Sequence, residues 1–156
     1  MAAVTIPQKL KEMFDAEIAL GAAGRLSNLK GVYIGDIDLK PESDYPVLCI
    51  ITDKGRYPFN GNHIELQRNY HLVIGVLDKS IQDAEALRDQ LVFDEQSDPY
   101  AGVIPFLLNN RGFDISDIGY LINVGEAESM MGKDKGNRDT AAAVIPINVE
   151  TTCELK

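Results

Sequence analysis

The chain has 156 residues, with 15 Lys and Arg against 24 Asp and Glu and an apolar fraction of 45%. That length suits one domain with one core, the apolar content is too high for a disordered chain, and a formal charge of −9 repels phosphate backbones and disfavours ordinary nucleic-acid binding. No apolar run reaches the roughly 20 residues that cross a bilayer, and Met1 to Ile6 lacks the basic-then-apolar pattern of a secretory leader, so synthesis in the cytoplasm and no membrane partner are expected.

The first predicted element is a helix over about residues 7–20. Thr5 can cap it, Pro7 is tolerated in its first turn, and Gln8 can complete a capping box. Leu10, Met13, Phe14 and Ile18 then recur at helical spacing, and Gly21 or Gly24 stops the helix. Arg25 to Asp44 is mixed, with a short strand at Val32 and Ile34. Pro46 to Thr52 is a strong strand, apolar on both faces and so central or covered. A segment dotted with glycine and proline, Asp53 to Asn62, leads to a second strong strand, Tyr70 to Leu77. The two read as a long hairpin over about residues 46–77 whose tip projects beyond the sheet.

Ser80 caps the next helix, about residues 80–92, with Asp83 in the first turn where a negative charge suits the helix dipole. Ile81, Ala84, Leu87 and Leu91 form the expected apolar stripe, and Asp83, Glu85, Arg88 and Asp89 are expected to face water. A short helix is predicted from about Tyr100 to Asn110, opened by Pro99 and closed by Gly112, with Pro105 in its first turns or kinking it. Closing strands follow at about 119–124 and 142–151. In the last, Ile145, Ile147 and Val149 point one way while Pro146, Asn148 and Glu150 point the other. Helix, strands, helix, strands is an α+β pattern: an antiparallel or mixed sheet of about four strands, two to three helices on one face, and long projecting loops.

Between the last two strands lies "GEAESMMGKDKGNRDT", Gly125 to Thr140. Loops of that length without structure of their own are uncommon in compact domains and are usually functional or disordered. Met130 and Met131 are apolar for such a loop; methionine adapts to irregular partner surfaces, so they either dock a partner or tuck back onto the domain.

The sequence carries little catalytic equipment. The two histidines, His63 and His71, belong to no spaced ligand set, and without a positioned histidine a nucleophile triad is hard to build. Asp36 with Asp38 and Asp114 with Asp117 could bind a hard cation, but each pair is too sparse for an EF-hand, and turn or solvated aspartates are commoner. "MGKDKGNR" fails as a phosphate loop: Ala127 stands where the first glycine is needed and Asp134 where a Ser or Thr follows the lysine. "GAAG" follows a helix rather than a strand, the wrong context for a dinucleotide fingerprint. The two cysteines, Cys49 and Cys153, make no disulfide framework. No cofactor and no enzymatic activity are expected.

The succession of elements resembles the tail terminator and tail-completion (neck) proteins of long-tailed bacteriophages. The resemblance rests on the opening amphipathic helix, "YPVLCIIT", the extended arm to "NYHLVIGVLD", the helix "SIQDAEALRDQL" and the closing "NRDTAAAVIPINVETT", from about Pro7 to Thr152. Arg25 to Asp44 and "SDPYAGVIPFLLNNRGFDISD" fall outside it. It implies a virion protein that forms a ring, usually a hexamer, which caps the tail tube, joins it to the neck and lets DNA pass through its lumen without specific binding. On that reading the arm, about Asp53 to Gln67, and the late loop, about Gly125 to Arg138, reach neighbouring subunits, the tube and the connector. The candidate contact residues are Lys54, Arg56, Asn60 and His63 on the arm, and Glu126, Glu128, Met130, Met131, Lys133, Lys135 and Arg138 on the loop. Two other classes stay open. A small α+β module binding a metabolite or protein would show a concave pocket with converging polar groups. A metal-assisted hydrolase would bring Asp36, Asp38, Asp114 or Asp117 together in space.

Overall fold

A computed structural model describes residues 4–35, 44–133 and 138–154, without the side chains of residues 59, 60, 153 and 154. The opening helix, α1 (Ile6–Ala19), begins as its sequence requires. Thr5 Oγ1 accepts from Gln8 N at 3.3 Å, and Gln8 Oε1 accepts from Thr5 N at 3.0 Å, so two helix-end donors are satisfied reciprocally. Its apolar stripe buries Ile6, Leu10 and Phe14. Leu20 caps the other end, and Gly21, at φ +60°, takes the left-handed position that terminates a helix at least cost.

The sheet is larger than the four strands expected. Six strands run in the order β1 (Gly31–Ile34), β2 (Val47–Arg56), β4 (His63–Val76), β8 (Asp139–Glu154), β6 (Ile118–Val124) and β5 (Gly112–Ile115). β3 (Phe59–Asn60) adds to β4, and β7 (Glu128–Lys133) adds to β8, which makes eight strands among the described residues. β1 runs parallel to β2 and the other pairs are antiparallel, so the sheet is mixed; it curls into a half-barrel. The expected long hairpin is present. β2 and β3 return through Gly61 and Asn62 into β4, with Asn60 opposite His63.

β4 and β8 form the spine. They pair without interruption from His63 opposite Glu154 to Val76 opposite Ala141, a ribbon of about 45 Å at strand rise. Period-two alternation decides which side is buried. Leu72, Ile74 and Val76 on β4 and Ala141, Ala143, Ile145, Ile147 and Val149 on β8 point to one face, where α2 (Ile81–Val92) lies over them, α1 lies over β1 and β2, and α3 (Val103–Asn109) lies over β6. The three helices thus pack on one face, as expected. Toward its other end the ribbon leaves the core: β4 has no fully buried residue from His63 to Asn69.

Several local expectations change. In α2, Ala84 and Leu91 are buried and Leu87 is half-buried, but Ile81 is 41% exposed. Arg88 does not face water. Its side chain is 11% exposed and reaches Met130 O at 3.3 Å, because its aliphatic stem can lie on apolar surface while the guanidinium finds a partner. α3 starts three residues later than expected. Gly102, at φ +104°, precedes it, and a Cβ there would meet the carbonyls of Gln90, Leu91 and Val92 within 3.0 Å. Pro105 does fall in the first turn of α3. Gly112 opens β5 instead of closing the helix; Asn109 and Asn110 do that, each donating its side-chain amide to a carbonyl four residues back at 2.8 Å. The late loop is no loop throughout, since β7 occupies its middle.

Candidate assembly surfaces

The expected contact residues separate into two groups at opposite ends of the β4–β8 ribbon. Lys54 and Arg56 are exposed on outer β2, where the register slips between Thr52 and Gly55. Asn60 lies in β3 and exposed His63 opposite it, level with the end of β8. The second group follows β6. Glu126 is exposed just before β7; Glu128, Met130, Met131 and Lys133 are exposed along it; Arg138 lies half-buried just before β8. Lys135 lies outside the described residues. Met130 and Met131, at 39% and 51% exposed, do not tuck into the core.

The polarity of β7 follows from its position. It continues β6 along the same side of β8, with Leu121 opposite Glu150, Val124 opposite Ile147, then Glu128 opposite Val144. The residues pairing with β8 advance one out of step between Val124 and Glu128, which is a bulge at Gly125 to Ala127. Among the described strands none pairs with the outer side of β7, and the carbonyl of Met130 accepts from Arg88. An outward row of main-chain groups is a template for strand addition.

The two lateral margins of the sheet are unlike. One is β1 and, beyond it, outer β2 from Ile51, since β1 pairs only with Val47 to Ile50. The other is β5 and β7. At the turn between β5 and β6, Ser116 and Asp117 sit at φ 50° and 68°, the conformation of a two-residue hairpin whose twist matches its strands. Asp117 is therefore a turn residue. Asp36 and Asp38 lie outside the described residues. Among the described residues no three His, Cys, Asp or Glu side chains gather closely enough to hold a metal ion.

The face without helices carries features that the sequence reading missed. Tyr45 packs against Gly75, where a Cβ would lie 3.6 Å from its ring, and Arg138 stands 5.9 Å above that ring. Further along, Asn69, Asn148 and Asn123 are cross-strand partners in one row, and Asn148 Nδ2 donates to Asn69 Oδ1 at 2.8 Å. His71 Nε2 lies 3.4 Å from Asp53 Oδ2 beside them. These residues line a hollow of about 360 Å³. A second hollow of about 430 Å³ follows around Glu65, Gly119, Glu150 and Thr152. The available signal was the polar phase of the closing strand, where Asn148 alternates with Ile147 and Val149, but register across three strands is not visible in one sequence.

Among the described residues no helix is long and apolar enough to cross a membrane. No protein-family model matches the chain, and no curated protein matches it.

Proposed function

We propose that this chain is a structural subunit of a bacteriophage tail, which assembles into a closed six-membered ring that caps the tail tube and joins it to the neck. The observation that carries this reading is the layout of one sheet: exposed contact segments at both ends of the β4–β8 ribbon and unlike strands on its two lateral margins. Unlike margins favour head-to-tail contacts over two-fold ones, and head-to-tail contacts close into rings when the rotation fits. Strand addition at β7 would supply several main-chain hydrogen bonds per contact. Contacts at the two ends leave room for one partner above the ring and another below. The charge of −9 suits a lumen through which DNA slides without adhering. The resemblance in element order drawn from the sequence points the same way. On this reading the chain is not an enzyme, uses no cofactor, and works within the virion.

The test is mass in solution, by light scattering, together with negative-stain microscopy of the purified protein. A discrete multi-subunit mass and annular particles are expected. A species that stays monomeric across the accessible concentration range, with no annular particles, overturns the reading.

A further inference from the structure

We infer that the hollow on the helix-free face is a binding site for a neutral saccharide. The hollow is built by strand register. Asn69, Asn148 and Asn123 stand on three adjacent strands, so their side chains repeat at about the 4.8 Å strand spacing. Asp53 and His71 close one side and Pro146 forms an apolar wall. The volume, about 360 Å³, lies at the lower end of the range for small-molecule sites, roughly 300–1,000 Å³.

The chemistry of the lining selects the ligand class. Among the described residues no lysine or arginine lines the hollow and Asp53 does, so a phosphate or an acidic sugar would meet an unfavourable field. A nucleobase needs a broad stacking surface; Tyr70 is 1% exposed with its ring in the core, which leaves among the described residues of the lining only the small His71 imidazole, held 3.4 Å from Asp53 Oδ2. What remains is a carboxylate beside an imidazole, and three carboxamides in a row. With Asn148 Nδ2 committed to Asn69 Oδ1, the row offers the Asn69 amide N–H, the Asn148 oxygen and both ends of Asn123. Neighbouring hydroxyls each donate and accept, so alternating carboxamide donors and acceptors match a polyol, while Pro146 can lie against the C–H face of the ring. This inference does not depend on the ring reading.

Saturation-transfer difference NMR on the full chain tests it, with glucose, galactose, mannose, N-acetylglucosamine and maltose as ligands, and uridine, inorganic phosphate and glucuronic acid as controls. At least one neutral sugar should give saturable transfer with a Kd on the order of 1 mM, and Asn123→Ala should weaken it about tenfold or more. Asn123 is exposed, so the melting temperature of that variant should match wild type; Asp53→Asn provides a second variant outside the core. The inference is overturned if no neutral sugar gives saturable transfer, if both variants bind like wild type, or if a control binds as well as the best sugar.

Discussion

At the scale of single residues, two positions carry sharp expectations. Tyr70 is 1% exposed and lies on the core side of β4 opposite Ile147. Burial pushes its hydroxyl above the ordinary tyrosine range, and a hydrogen bond from Arg68 only partly opposes this. A proton held more tightly in the folded state gives stability that is complete below the unfolded value, near pH 10, and is lost as pH rises through the raised folded value. Urea unfolding between about pH 9 and 12 should therefore show a steeper loss of stability for wild type than for Tyr70→Phe. Parallel curves would mean that Tyr70 ionises in place without cost. Gly102 is the second position. At φ +104°, with three carbonyls of the α2 end within 3.0 Å of a would-be Cβ, it has space for no side chain. Gly102→Ala should cost about 1–3 kcal/mol from backbone conformation alone, read by denaturant unfolding, and a variant as stable as wild type would show that the α2–α3 junction can open freely.

At the scale of elements, burial decides what the apolar stripe of α2 means. Leu87 is half-buried and packs at the rim of the core, whereas Leu91 is 3% exposed within it. A charge at Leu87 can reach water, so Leu87→Asp should cost about 1–3 kcal/mol and remain folded, while Leu91→Asp strands a charge in apolar surroundings and should abolish cooperative unfolding. Equal effects in a thermal melt would place the helix in another rotation. This is also where the sequence was partly legible. The capping box, the β2–β4 hairpin and the closing strand could be read because each has a local signal: a cap, an alternation, a turn residue. β7 could not, because "ESMMGK" buries no side chain and so has no alternation to read; its pairing comes from β8, which is long enough to accept a partner along its whole edge. β5 was hidden for a related reason. Gly112 reads as a helix stop until it is seen to pair with Leu121. The asparagine row was equally invisible, since it exists only in the register of β4, β8 and β6.

At the scale of the molecule, the α+β class was legible from the order of elements, but strand count and the parallel β1 depend on long-range pairing that no local pattern encodes. The division of the expected contact residues into two ends is likewise a property of the whole sheet, and it sets the last expectation. Deleting Ser129 to Lys135 would remove most of β7 and bare the edge of β8, so it confuses folding with assembly. Substitution of exposed residues separates them. Met130→Glu with Met131→Glu adds charge to the open side margin without touching the buried core, and like charges along a strand edge block strand addition. Lys54→Glu with Arg56→Glu reverses the exposed charges on outer β2, near the end of the ribbon and away from β7. Both double variants should melt within a few degrees of wild type, because surface changes of this kind usually cost less than about 0.5 kcal/mol each. If β7 carries contacts within the ring and outer β2 carries contacts to a neighbour, the first variant should sediment as a monomer. The second should sediment as a ring that no longer joins its partner in reconstituted tails. Should both variants assemble and join normally, neither surface is an interface and the ring reading would have to rest on other parts of the chain.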